Sequence, residues 1–130
     1  MTRTVITPPA FAGWLNQAKV PLSLVVKHGN TVYISGIPPI IPNTNDLRTD
    51  SIAGQVTQVL DNIALCLEAA GSDLSKVLKC TIFAVNAAHF AAINEVYRSY
   101  FPTDPPARTF CTVASWPAPF DVEIECIATC

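Results

Sequence analysis

The chain has 130 residues, a length that fits one domain able to bury roughly two thirds of the surface its unfolded form exposes. Half of the residues are apolar and only 14% are charged, fewer than the about one quarter usual in a soluble domain, so some apolar surface is expected to meet another subunit. Eight basic against ten acidic residues give a net charge of −2 with no Lys/Arg cluster, which argues against nucleic acid or an anionic membrane as partner.

Met1-Thr2-Arg3-Thr4 leads into Pro8-Pro9 rather than into an apolar signal core, so a cytoplasmic protein without a membrane anchor is expected. The first clear elements are two β-rich runs, Ser23 to His28 and Thr31 to Ser35, around Gly29-Asn30, two residues suited to the positive φ of a tight hairpin turn. Three prolines in Ile37 to Pro42 remove amide donors and predict an extended, irregular connection, continued by a polar loop to Thr49. Asp50 or Ser51 can cap a helix whose apolar residues Ile52, Val56, Val59, Leu60, Ile63 and Leu67 fall at steps of three and four and which ends at Gly71.

Lys76 to Val85 reads as a strand, and the helix before it suggests a β-α-β crossover. Asn86 can cap a second helix, with Phe90, Ile93, Tyr97 and Tyr100 on one face and Pro102 as its stop. Strands near Ala107 to Ala114 and Asp121 to Ala128 follow, separated by Pro117-Ala118-Pro119. The order β-β-α-β-α-β-β predicts one α+β domain over residues 1–130, a mixed sheet with two helices on one face.

Five cysteines (Cys66, Cys80, Cys111, Cys126, Cys130) without C-x-x-C spacing suggest reduced, mostly buried thiols rather than a disulfide framework or a zinc site. No glycine-rich phosphate loop or carboxylate-rich cation loop occurs, so neither cofactor nor metal is implied, and His28 and His89 sit in no nucleophile motif. The last strand alternates Val122, Ile124 and Cys126 with Asp121, Glu123 and Glu125. Its acidic face is either solvated or part of a site with a cation nearby. Arg108 is then a surface ion-pair residue, the partner of those acids, or a ligand's anchor.

Several blocks in order, Val32-Tyr33-Ile34-Ser35-Gly36, Asp61-Asn62-Ile63, Glu68-Ala69-Ala70-Gly71, Asn94-Glu95-Val96-Tyr97, Pro106-Ala107-Arg108-Thr109 and Val122-Glu123-Ile124-Glu125, resemble the RidA (YjgF) family, also called the endoribonuclease L-PSP family. The resemblance runs from about residue 20 to 128. It implies a homotrimer with a central barrel of sheets, helices outside and ligand clefts at the subunit interfaces. It also implies hydrolysis of enamines and imines to 2-oxo acids and ammonia. In this reading Arg108 clamps a substrate carboxylate, Glu123 activates the attacking water, and Ser35 and Asn94 occupy further cleft positions, although Asn94 can equally be a structural hydrogen-bonding residue.

Two positions depart from the family pattern: Leu22 replaces an expected tyrosine, and Phe110 an expected thiol, with Cys111 one step further along and turned to the other strand face. Leu22 and Phe110 make the cleft more apolar. That disfavours 2-aminoacrylate and favours a bulkier ligand, such as an aminomuconate-like product of ring catabolism. A trimer that binds small carboxylates without turnover is the alternative from another functional class; a ribonuclease activity fits poorly with the missing basic surface.

Overall fold

The computed structural model describes residues 2–130. It contains β1 (Thr4–Ile6), α1 (Pro9–Ala18), β2 (Val25–His28), β3 (Thr31–Ile37), α2 (Ile52–Ala69), β4 (Val77–Ala84), α3 (Phe90–Tyr100), β5 (Ala107–Thr112) and β6 (Val122–Thr129). The strands form one sheet in the order β1-β2-β3-β6-β4-β5; β4 and β5 run parallel and every other pair is antiparallel. The expected α+β layout with a mixed sheet is present. Both β3-α2-β4 and β4-α3-β5 are crossovers, the first spanning β6, which lies between its two strands.

Neither β1 nor α1 is among the expected elements, so the chain has one strand and one helix more than its residue pattern predicts. Pro9 opens α1, and a proline in the first helical turn is tolerated because its missing N–H would have no partner there. The helix then closes on Lys19 at φ 53°, not on a glycine, so its end carries no sequence signal. Burial of Phe11 in the main core anchors it.

α2 starts and stops where its residues predict. The Ser51 hydroxyl accepts from the Gly54 amide at 3.1 Å, while Gly71 at φ 77° lets the Ser72 amide reach back to the Leu67 carbonyl at 2.8 Å. In the β2-β3 hairpin, of the two turn residues only Gly29 takes positive φ, at 59°, so Asn30 does not use the freedom expected of it. Asn86 caps a short 3-10 turn, Ala87–His89, that runs into α3.

One core fills the space between the helices and one face of the sheet. Val32, Ile34 and Ile37 of β3, Cys80, Ile82 and Ala84 of β4, and Val122, Ile124, Cys126 and Ala128 of β6 are buried there against Val56, Val59, Leu60, Ile63, Ile93 and Tyr97. Among the described residues, the opposite face carries no helix. Pairing registers align Val5, Val26, Tyr33 and Ile127 across it, and Tyr33 remains 48% and Ile127 36% exposed. No helix among the described residues is long and apolar enough to cross a membrane.

Two buried amides of α2 fix the irregular segments around the sheet. Asn62 donates to the carbonyls of Ile40, at 2.8 Å, and Pro38, which supplies partners for the proline-rich connection. Gln55 donates to the Asp121 carboxylate at 2.9 Å and accepts from the Asp121 amide at 2.8 Å, setting the start of β6. Gln55→Leu leaves the Asp121 groups without these partners and is expected to cost about 2–3 kcal/mol, read as a lower urea midpoint at unchanged slope.

Candidate active site

Arg108 lies on β5, one of the two edge strands. Its parallel register with Cys80, and that of Phe110 with Ile82, directs both side chains toward the helical layer. There the Arg108 guanidinium donates from Nη1 to the Asn94 side-chain oxygen at 2.8 Å. Its Cζ lies 5.1 Å from the centroid of the Tyr97 ring and 5.6 Å from that of Phe90. Phe110 meets Phe90 edge-on at 5.0 Å, leaving Phe90 44% exposed as an aromatic wall beside the arginine.

No carboxylate pairs with Arg108 among the described residues, where the salt bridges are Arg48–Asp50 and Lys76–Asp73. A guanidinium oriented by an amide and two rings, but lacking a counterion, is suited to receive an external carboxylate through its remaining donors. Asn94, Tyr97, Arg98, Phe101, Pro105, Pro106 and Arg108 enclose an open cleft of about 290 Å³.

Glu123 belongs to a second cluster. It pairs in register with Phe83 on the helix-free face of the sheet, between Val122 and Ile124, which are buried on the other face. One step along that face, opposite Glu125, β3 bulges: Ile34 pairs with Cys126 but Ile37 with Ile124, so Ser35 and Gly36 occupy the extra length. The Glu123 carboxylate rests on Gly36, where a β-carbon would lie closer to its Oε1 than real contacts allow and 3.0 Å from its Cδ. The Ser35 hydroxyl donates to the Ser23 carbonyl at 2.6 Å and the Ser35 amide to the Leu24 carbonyl at 2.9 Å, tying the bulge to the segment that carries Leu22. Leu22 is 42% exposed.

Burial, and secondarily the charge of Glu125, push the Glu123 pKa above the ordinary carboxylate value. The folded chain therefore holds a proton that the unfolded chain has already lost in that interval, and stability falls as pH rises through it. Glu123→Gln removes this slope. Its melting temperature is expected to gain on wild type between pH 4 and pH 7.5, measured by circular dichroism; an equal difference at both pH values would refute the assignment.

The expected residues thus form two groups. Arg108, Asn94 and Phe110 share the helix-side edge, whereas Ser35 and Glu123 share the bulge on the open face. Arg108 as the ion-pair partner of Glu123 within one chain is a correction: the α3 crossover places β5 beyond β4, so β4 separates β5 from β6 and the two side chains leave opposite faces. Cys111 pairs with Phe83 and faces away from Arg108, as its position one step along the strand predicts.

Three contributors carry little signal in the sequence. The spacing of Phe90 and Tyr97 predicts only an apolar helix face, although Asn94 within that stripe is a sign that the face is not purely core. Gly36 beneath Glu123 had no local signal, since the approach depends on the β3-β6 register.

The family model described as Endoribonuclease L-PSP matches residues 15–130. Reactive Intermediate Deaminase A of Arabidopsis thaliana, a chloroplastic protein, is 42% identical over 109 residues, which cover 84% of this chain but 58% of the plant protein. Protein HMF1 of Saccharomyces cerevisiae is 41% identical over 111 residues, 85% of each chain. The crystal structure of RidA from an Antarctic Psychrobacter superposes with a TM-score of 0.87 at 38% identity, covering 98% of this chain and 99% of that one.

Proposed function

Since the chain belongs to the RidA/YjgF family, the group that the endoribonuclease L-PSP model describes, we propose that it is an imine and enamine deaminase releasing 2-oxo acids and ammonia from amino-acid-derived intermediates. The observation that carries this reading is an arginine held by Asn94 with no carboxylate partner among the described residues, in the same chain as a half-buried glutamate of raised pKa. A binding protein uses the arginine alone. Deaminase chemistry uses both, because the water that attacks an imine must lose protons and the departing nitrogen must gain them.

The two groups lie on opposite faces of the sheet, so a complete site takes Arg108 from one protomer and Glu123 from another. The helix-free apolar face bearing Tyr33 and Ile127 supports a closed homo-oligomer, and the family resemblance favours a trimer with interfacial clefts. In such a cleft Arg108 receives the substrate carboxylate as a two-pronged hydrogen-bonding pair. Glu123 takes a proton from water as its oxygen bonds to the imine carbon and the C=N pair shifts to nitrogen, then passes that proton to the nitrogen. The resulting carbinolamine collapses as Glu123 carries the hydroxyl proton to nitrogen, the C–N bond breaks and ammonia leaves. A pKa raised above the ordinary carboxylate value by burial suits a group that must accept and donate in one cycle.

The net charge of −2 without a basic cluster makes the ribonuclease in the family's other name the weaker reading. The test follows imines generated in situ by an amino-acid oxidase and trapped with semicarbazide. Wild type is expected to accelerate their loss. Arg108→Ala and Glu123→Gln proteins, each impaired, are expected to regain roughly a quarter of wild-type activity once equal amounts are unfolded and reassembled together, as random assortment of protomers requires. Activity that does not return on mixing rules out a site shared between subunits.

A further inference from the structure

Resting on the deaminase reading and deepening it, we propose that the Arg108 cleft selects ligands with two carboxylates, the second of which is received by Arg98. Asn94, Tyr97, Arg98 and Phe101 follow one another at helical steps of three, one and three, so a single side of α3 and the turn after it line the cleft facing Arg108. Both arginines line that cleft, and neither has a carboxylate partner among the described residues. The Arg98 side chain makes no hydrogen bond among the described residues either, not even to the last carbonyls of its own helix, where a basic side chain could otherwise serve as a cap.

Two positive groups on one cleft leave a field that a single carboxylate neutralises only in part. A ligand with anions at both ends satisfies each guanidinium, while Phe101, Pro105 and Pro106 supply an apolar lining suited to the carbon chain between them. A volume of about 290 Å³ is at the small end of ligand sites and admits a short chain. The substrate class is therefore the imine or enamine of a short 2-amino dicarboxylic acid. Arg108 takes the carboxylate next to the reacting carbon, because Asn94 and the two rings fix its orientation. The exposed Arg98 takes the distal one.

The test uses two stable 2-oxo acids, 2-oxoglutarate with two carboxylates and 2-oxobutyrate with one, titrated calorimetrically into the assembled protein. Wild type is expected to bind 2-oxoglutarate about five- to tenfold more tightly, a modest preference because Arg98 is solvent-exposed, and raising the salt should shrink it. Arg98→Gln is expected to abolish the preference, and Arg98→Lys, which keeps the charge, to retain part of it. Equal affinities in wild type, no binding of either acid, or a preference that survives Arg98→Gln would overturn the proposal. A preference that depends on Arg98 in a protein that hydrolyses no imine would leave this site standing and remove the deaminase reading.

Discussion

Arg108→Ala is expected to lower kcat/KM for a 2-imino acid by about a hundred- to a thousandfold, the largest loss of any single substitution in the cleft. The side chain has two tasks. It offers charge-assisted hydrogen bonds to the substrate carboxylate, each worth about 1.5–3 kcal/mol, and it fixes where the imine carbon sits relative to the attacking water. Arg108→Lys keeps the charge but loses the planar fork and its stacking between Phe90 and Tyr97, and should cost about ten- to a hundredfold. Because the guanidinium pairs with no carboxylate among the described residues, neither change unbalances a buried charge, and thermal stability should move by no more than about 1 kcal/mol. Steady-state kinetics beside thermal melts separates the two effects. A comparable collapse of stability would mean that Arg108 is structural.

Gly36→Ala is expected to lower kcat by about a hundredfold with little change in stability. The added methyl group meets the Glu123 carboxylate, the movable end of a side chain, so the strain is relieved by swinging the carboxylate aside rather than by distorting the sheet. A displacement of about 1 Å at a reacting group is enough for a loss of this size. The double variant Gly36→Ala/Glu123→Gln separates this route from a general disturbance. If the glycine acts only by seating Glu123, adding Gly36→Ala to Glu123→Gln should cost almost nothing further in activity. Additive losses would place the effect in the sheet instead.

Both substitutions address features with different visibility in the sequence. Arg108 and Glu123 stand out as residues because each sits in a block that resembles a known family and because acids alternating with apolar residues on a strand invite explanation. Gly36 is the middle of an ordinary strand until β3 is laid against β6 with one residue too many. Phe90 looks like a core position from its helical spacing, yet it lies 44% exposed against Phe110, because α3 packs at the sheet edge and has no further strand to cover that end of its apolar face.

Local chemistry was sufficient for the elements whose causes are local. Ser51 and Gly71 delimit α2, Pro38 and Pro39 stop β3 at Ile37, and the alternation in β6 assigns its two faces, since each depends on residues within a few positions of one another. The sequence by itself also determined the α+β class and the family. It did not reveal α1, whose stability comes from burying Phe11 in a core built by distant strands. Nor did it reveal that Arg108 and Glu123 lie on opposite faces. That follows from strand order: β4 stands between β5 and β6, and the pairing of each with β4 decides which way its side chains point. Strand order is a long-range choice made by the crossovers and the packing of α2 and α3, whereas the residues on each strand report only the alternation along it.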